Sequence, residues 1–331
     1  MFVAGAMMLT TLLGLRLTIE GYSAELTGLI LTGQAVGFVT GTLIGPGLIR
    51  RVGHIRVFSA FAALICAAAL LHGAVVNAPL WGLLRFVAGV SGSTMLVVIE
   101  SWISTHAPPA VRGRVMSIYM ILYYASGATG QWLIGMAAPE DYRSYSLAAG
   151  LLVLSLVPLA MTNLEAPTVP TTGGRLGLRA LYRVSPIATV GALTAGFCLS
   201  SFYQLAPVSL KRLGVGLDVV AHYMALAVFA SMLLQFPIGR LADRLDRRRV
   251  IAGIAIAGSL SASIVAIAGS ESMAARFVAT MLFMALMASL YPACLAQMHN
   301  RLHGENAVAA NAGQLFCYGL GTCIGPVLCG V

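Results

Sequence analysis

The chain has 331 residues, 59% of them hydrophobic, with a mean hydropathy of +0.88. Only 9% are charged, 20 basic against 11 acidic, where a soluble domain carries about 25%. So few charges cannot cover a water-facing surface, which excludes soluble globular, disordered and disulfide-stapled secreted classes and leaves a membrane protein.

Apolar runs of about 20 residues predict eleven spans. In chain order they cover 1–17, 26–48, 57–76, 79–103, 115–138, 145–163, 185–210, 219–241, 250–269, 273–297 and 307–331. One long connection, 164–184, carries Pro167, Pro170, Gly173, Gly174, Arg175, Arg179 and Arg183. The expected organisation is an N-terminal helical bundle over 1–163, a cytoplasmic linker over 164–184 and a C-terminal bundle over 185–331. The first span opens at Met1 without a charged flank and the last reaches Val331 without a polar tail. A shortened first helix and a missing twelfth are therefore expected.

The net charge of +9 raises a nucleic-acid reading, and the placement of the charges answers it. Loops 49–56, 104–114, 164–184, 240–249 and 297–306 hold fourteen of the twenty Lys and Arg, so they are expected to face the cytoplasm. The basic balance is a topology signal, and no nucleic-acid partner is expected. The six Cys (Cys66, Cys198, Cys294, Cys317, Cys323, Cys329) all fall inside spans without CxxC or Cys/His ligand spacing, and read as packing residues. No metal, cofactor or catalytic constellation is expected: there is no HExxH, no Ser/His/Asp arrangement and no pair of acids at helical spacing.

The two halves echo each other. Arg85-Phe86-Val87-Ala88 returns as Arg276-Phe277-Val278-Ala279 at an offset of 191, and Gly130/Gly135 return as Gly325/Gly330 at 195. The basic loop with Arg50, Arg51 and Arg56 is matched by one with Arg244, Arg247, Arg248 and Arg249. Parallel repeats of this kind are an architecture of secondary transporters.

The run Gly239-Arg240-Leu241-Ala242-Asp243-Arg244-Leu245-Asp246-Arg247-Arg248 resembles the G-x-L-A-D-R-x-G-R-R signature of the major facilitator superfamily (MFS), departing where Asp246 replaces the second Gly. The segment Val97-Val98-Ile99-Glu100-Ser101-Trp102, then Arg112-Gly113-Arg114 and Tyr119 to Gln131, is similar to the YcaD-like group of bacterial facilitators; Phe236-Pro237 and Tyr291-Pro292 fit that group too. The resemblance implies an all-α membrane protein with the MFS fold, two pseudo-symmetric six-helix bundles of which about eleven helices are present. It also implies that Gly239, Asp243, Arg244, Arg247 and Arg248 form a latch that closes the cytoplasmic side. The equivalent loop in the first half, with Arg51, Gly53 and Arg56, has Arg50 where the family has Asp. Glu100 is a candidate acceptor there.

Ionisable residues inside the bilayer cost about 2.5–3.5 kcal/mol on insertion scales, so each is a functional candidate. Arg85 opens an Arg-x-x-x-Gly-x-x-Gly run with Gly89 and Gly92 that resembles a helix-four signature tied to coupling; the alternative is an anchor that snorkels to the outer interface. Arg276 is its apparent repeat mate. Glu100 reads either as a proton carrier or as an ion-pair partner of Arg51, Arg56 or Arg114. Gln131, Gln204, Tyr203 and Tyr291 are candidate cavity residues, with Gln34, Gln235, Gln314 and the Tyr119/Tyr123/Tyr124 series as further polar groups in spans. The expected function is secondary transport of a small solute by alternating access, with protons as a candidate coupling ion, by a monomer in the bacterial inner membrane. The alternative is a non-transporting sensor or a fragment of such a protein.

Overall fold

A computed structural model describes residues 1–331 apart from 109, 135–137, 162–176, 213–216, 269–271, 303–306 and 330–331. Among the described residues there are fourteen helices and no strand. They are α1 (Phe2–Ile19), α2 (Ala24–Val52), α3 (His54–Ala74), α4 (Ala78–His106), α5 (Arg112–Leu133), α6 (Tyr142–Leu154), α7 (Leu156–Ala160), α8 (Leu178–Val184), α9 (Pro186–Arg212), α10 (Leu217–Leu233), α11 (Gln235–Arg244), α12 (Arg247–Ala268), α13 (Met273–Arg301) and α14 (Ala307–Cys329). Eight helical segments of the described chain are long and apolar enough to cross a membrane, and Phe2–Leu17 is a shorter apolar helix.

Two expected spans are broken, and both breaks have one cause. Proline has no N–H, so the carbonyl four residues earlier loses its helical partner. Pro158 deprives Leu154 and Pro237 deprives Leu233; α6 ends at Leu154 and α10 at Leu233. The basic connections are also tighter than expected. Only Gly53 separates α2 from α3, and only Leu245 and Asp246 separate α11 from α12. The expected linker 164–184 contains the short helix α8 at its end; Pro167, Pro170, Gly173, Gly174 and Arg175 lie outside the described residues.

The helix bounds correct one part of the repeat. Ala78–His106 and Met273–Arg301 are both 29 residues long and stand 195 apart at each end, and Arg112 and Ala307, the starts of α5 and α14, keep the same offset. On that register Arg85 corresponds to Thr280 and Trp81 to Arg276. The 191-residue match of Arg85 with Arg276 is therefore not a structural equivalence.

The chain forms two compact units. The first comprises Met1–Trp102 and Ala125–Arg175, with α1 and α3 both packed on α6. There α2 and α4 approach backbone to backbone: a Cβ on Gly33 would stand 2.7 Å from the Gly82 carbonyl, and one on Gly89 would strike the Gln34 carbonyl. Lipid supplies no hydrophobic drive between helices, so such small-residue contacts, rich in dispersion, carry the association.

The second unit comprises Ile103–Tyr124 and Leu176–Val331. It takes in the start of α5, which the sequence placed with the first bundle. Here α14 lies along α9, where a Cβ on Gly196 or Gly321 would strike the Tyr318 or Leu193 carbonyl. Helices α9, α10 and α12 all pack on α13. The repeat mates α4 and α13 are 67% and 78% buried over their apolar windows, against 28–39% for the other spans. They are the most buried spans of the described chain, and polar side chains along them such as Arg85, Glu100, Thr280 and Gln297 are enclosed by protein.

Candidate functional site

The signature run folds into the α11–α12 corner, where each residue has a separable task. Helix α11 crosses the start of α5 at two glycines: a Cβ on Gly239 would stand 2.8 Å from the Gly113 carbonyl, and one on Gly113 the same distance from the Gly239 carbonyl. Gly239 also has no room for a Cβ beside the Ser117 hydroxyl. This crossing brings Asp243 under the first turn of α5, whose N–H groups have no partner within their own helix. Its Oδ1 accepts from Gly113 N at 2.9 Å and its Oδ2 from Arg114 N at 3.0 Å. Asp243 is thus an N-terminal cap supplied from another helix, and its charge complements the positive end of the α5 dipole.

Arg247 completes the corner. Its Nη2 donates to Asp243 Oδ1 at 3.0 Å, Nε to the Ala242 carbonyl at 3.0 Å and Nη1 to the Ala296 carbonyl at 3.2 Å, so one side chain ties α11, α12 and α13. Both partners are buried, at 6% and 5% side-chain exposure, where a charge-assisted pair is strong and a half-pair is costly. Arg114 adds a longer contact, Nε to Oδ2 at 3.9 Å. Arg112 donates to Asn300 Oδ1 and to the Ala107 carbonyl, each at 3.4 Å; burial and then the neighbouring Arg247 charge push its pKa down. Arg244 and Arg248 are exposed at the corner's edge. The departure at Asp246 has a local reason: its Oδ1 accepts from Arg248 N at 2.9 Å, capping α12.

The first-half loop is built differently. Gly53, at φ +87°, donates its N–H to the Ile49 carbonyl at 2.8 Å, a left-handed C-cap that favours glycine. Arg51 and Arg56 are exposed, and among the described residues neither joins an ion pair. His54 is buried edge-on against Trp102 at 5.8 Å. Glu100 lies on α4 in the same unit and is 2% exposed, so its carboxyl is enclosed within the bundle.

A second polar cluster lies inside the first unit. Arg85 is 3% exposed, so it does not reach an interface. Its Nη1 and Nη2 face Thr10 Oγ1 at 3.4 and 3.5 Å, and Thr10 also contacts Gln34 Oε1 at 3.5 Å. One residue on, Thr11 pairs with Gln131: Nε2 donates to Thr11 Oγ1 at 2.9 Å and to the Met7 carbonyl at 3.4 Å. Among the described residues no carboxylate pairs with Arg85, and its Nε has no partner. Thr10 and Thr11 were not singled out in the sequence; two adjacent hydroxyls inside an apolar span were the available signal.

In the second unit the aromatic candidates gather around Tyr124, within electrostatic reach of Tyr203, Tyr318 and Tyr123. Tyr291 is buried, edge-on to Tyr318 at 5.3 Å, and Tyr203 is 38% exposed. The Gln204 side chain lies outside the described residues. Gln235 Nε2 donates to the Ser231 carbonyl at 3.0 Å across the break between α10 and α11, while Gln314 is fully buried with neither amide atom partnered. Sequence reasoning also missed the buried contact of His299 Nε2 with Asn311 Oδ1 at 3.0 Å. It stands 195 residues after the Ser104–Met116 contact, 3.9 Å, in the other repeat. The register was the signal for it.

Comparison with known proteins agrees with this architecture. The Major Facilitator Superfamily profile matches residues 1–328. Proteins called "Uncharacterized MFS-type transporter YcaD" in Escherichia coli and Shigella flexneri are 30% identical over 324 residues, covering 96% of this chain and 82% of theirs. Among solved structures, the E. coli fucose:proton symporter FucP superposes with a TM-score of 0.72 at 14% identity, over 99% of this chain and 88% of that one. The proton:xylose symporter XylE gives 0.72 at 12%, over 99% and 87%, and the human organic anion transporter MFSD10 gives 0.72 at 14%, over 98% and 91%. The eight membrane-length helical segments among the described residues, the Gly239–Asp243 corner and these matches lead to one conclusion: the chain belongs to the Major Facilitator Superfamily and is a multi-pass membrane transporter of that family.

Proposed function

We propose that the protein is a secondary active transporter that moves a small solute across the bacterial inner membrane by alternating access, as a monomer, with its arginine-rich loops cytoplasmic. The observation that carries the reading is the Asp243 carboxylate on the first turn of α5. It joins a helix of the first repeat to the corner of the second through hydrogen bonds that water can replace. First-turn N–H groups have no intrahelical partner to lose, so the latch can release without unwinding α5. Such a contact stabilises one state of a two-state element and is absent from the other.

Arg85 is the proposed coupling or substrate contact. A buried guanidinium with only neutral partners attracts an anionic group, or is compensated when a nearby carboxyl gives up its proton. Glu100 is the proposed proton-responsive acid or gate partner on the same helix. Nothing in this reading calls for enzymatic chemistry. The test is solute flux into proteoliposomes under an imposed pH gradient. Arg85→Gln is expected to abolish flux and Arg85→Lys to retain part of it; equal flux in all three removes Arg85 from the mechanism. Unchanged uptake and pH dependence in Glu100→Gln would remove proton carriage from Glu100.

A further inference from the structure

The second unit carries an apolar groove of about 270 Å³ between α9 and α12, with the wholly buried Leu290 of α13 contributing to its lining. Ile187, Val190 and Thr194 line it from α9, and Ile251, Ala252 and Ala255 from α12. The spacings are i, i+3, i+7 and i, i+1, i+4, so each helix contributes one face. Val190 is 52% exposed, which leaves the groove open on its outer side, where a membrane-spanning helix meets lipid.

The groove has a charged end. Arg248 precedes Ile251 and Ala252 by three and four residues, on the same face of α12 one turn earlier. Arg183, the last arginine of α8, precedes Pro186 at the start of α9 by three residues, across the extended cap Ser185, and Arg179 lies one turn earlier in α8. All three are exposed, and among the described residues none joins an ion pair. The neighbouring acid, Asp246, is engaged with the α12 backbone. Helix α8 is held in place: Leu181 is 1% exposed and its Cδ1 lies where a Cβ on Gly313 of α14 would stand 2.6 Å away. Tyr182 beside it is 53% exposed, the position of an interfacial aromatic.

We propose that this groove is a binding site for an anionic phospholipid, one acyl chain lying between α9 and α12 and the headgroup phosphate held by Arg183 and Arg248. An apolar slot open to the membrane with uncommitted guanidinium groups at one end matches a lipid with a negative head. A neutral zwitterionic lipid would fill the slot equally well but gain less from the arginines. The site is separate from the Arg85 cluster and does not depend on what is transported.

The experiment is lipid retention by the purified full chain, read by native mass spectrometry from micelles doped with phosphatidylglycerol or phosphatidylcholine. Each arginine near a headgroup is worth roughly a fivefold preference for the anionic lipid, so about 25-fold is expected for two. Arg183→Gln with Arg248→Gln should bring the preference close to one, while Arg183→Lys with Arg248→Lys keeps most of it. Ala255→Phe, which fills the slot, should reduce retention of both lipids. Soluble glycerol 3-phosphate, a headgroup without chains, should fail to compete. Equal retention of the two lipids by the native chain overturns the proposal, as does an unchanged preference in the glutamine variant or competition by glycerol 3-phosphate as effective as by the lipid. Should the glutamine variant fail to fold, the slot-filling variant and the competition arm decide the matter.

Discussion

The two basic corners, α2–α3 and α11–α12, occupy equivalent places in the repeats and are stabilised by opposite means. The second is a buried charge network: Asp243 accepts two α5 N–H groups and Arg247, and Arg247 reaches carbonyls on two further segments. The first is a backbone device, a single glycine at φ +87° with exposed arginines around it. A buried carboxylate transmits the cost of disruption to every element it touches. An exposed arginine surrenders its charge to solvent and transmits little. The comparison teaches that repeat symmetry in position does not imply symmetry in energetic role, and it favours the second repeat as the place of the proposed latch.

Asp243→Asn strikes this asymmetry hardest. It removes the buried charge opposite Arg247, a loss of about 3–5 kcal/mol for a broken buried pair, and weakens the cap on α5. Flux in proteoliposomes should be abolished while membrane insertion and helicity persist; normal flux would end the latch assignment. Gly239→Ala comes next, at about 1–3 kcal/mol of overpacking against Gly113 and Ser117. The melting temperature in detergent should fall, and Ser117→Gly should restore part of it but not all, because the Gly113 carbonyl remains in the way. A full rescue would place the strain on the side chain alone.

Arg247→Lys keeps the charge and loses the fork. It retains the Asp243 contact but cannot hold the Ala242 and Ala296 carbonyls together, for a cost of about 1–2 kcal/mol measured by denaturant titration. In the first corner, Gly53→Ala should cost about 1–2 kcal/mol through its positive φ. Arg51→Ala and Arg56→Ala should change stability by less than about 0.5 kcal/mol. If either arginine variant destabilises the chain as strongly as Arg247→Lys, the contrast between the corners is wrong.

Much of this was legible in the sequence because the bilayer imposes a simple rule. Spans must be apolar and about 20 residues long, so the helical paths and their basic ends could be read from runs and charges. Where the reading failed, the deciding quantity was not periodic. Arg85 and Arg276 share a tetrapeptide, yet the helix bounds pair Arg85 with Thr280, because register follows the whole helix and not four residues of it. Whether Arg85 snorkels or stays inside could not be read either, since it depends on α1 presenting Thr10 across the bundle. Gly239 stood out as part of the signature and Gly113 as part of Arg112-Gly113-Arg114, but nothing in the sequence paired the two. Only their crossing makes them necessary.

The sequence by itself determined the class of the molecule, its helical paths, its twofold repeat and the identity of the Asp243 corner, because hydropathy, charge and motif spacing are local properties of the chain. The tertiary structure decided what the charges do. It placed Asp243 on the α5 amides, enclosed Arg85 among hydroxyls and amides, left Arg51 and Arg56 in solvent, and opened an apolar groove between α9 and α12. The energy of a charge depends on its burial and its partners, and both are set largely by residues distant in sequence, 75 positions away for Arg85 and Thr10 and 130 for Asp243 and Gly113.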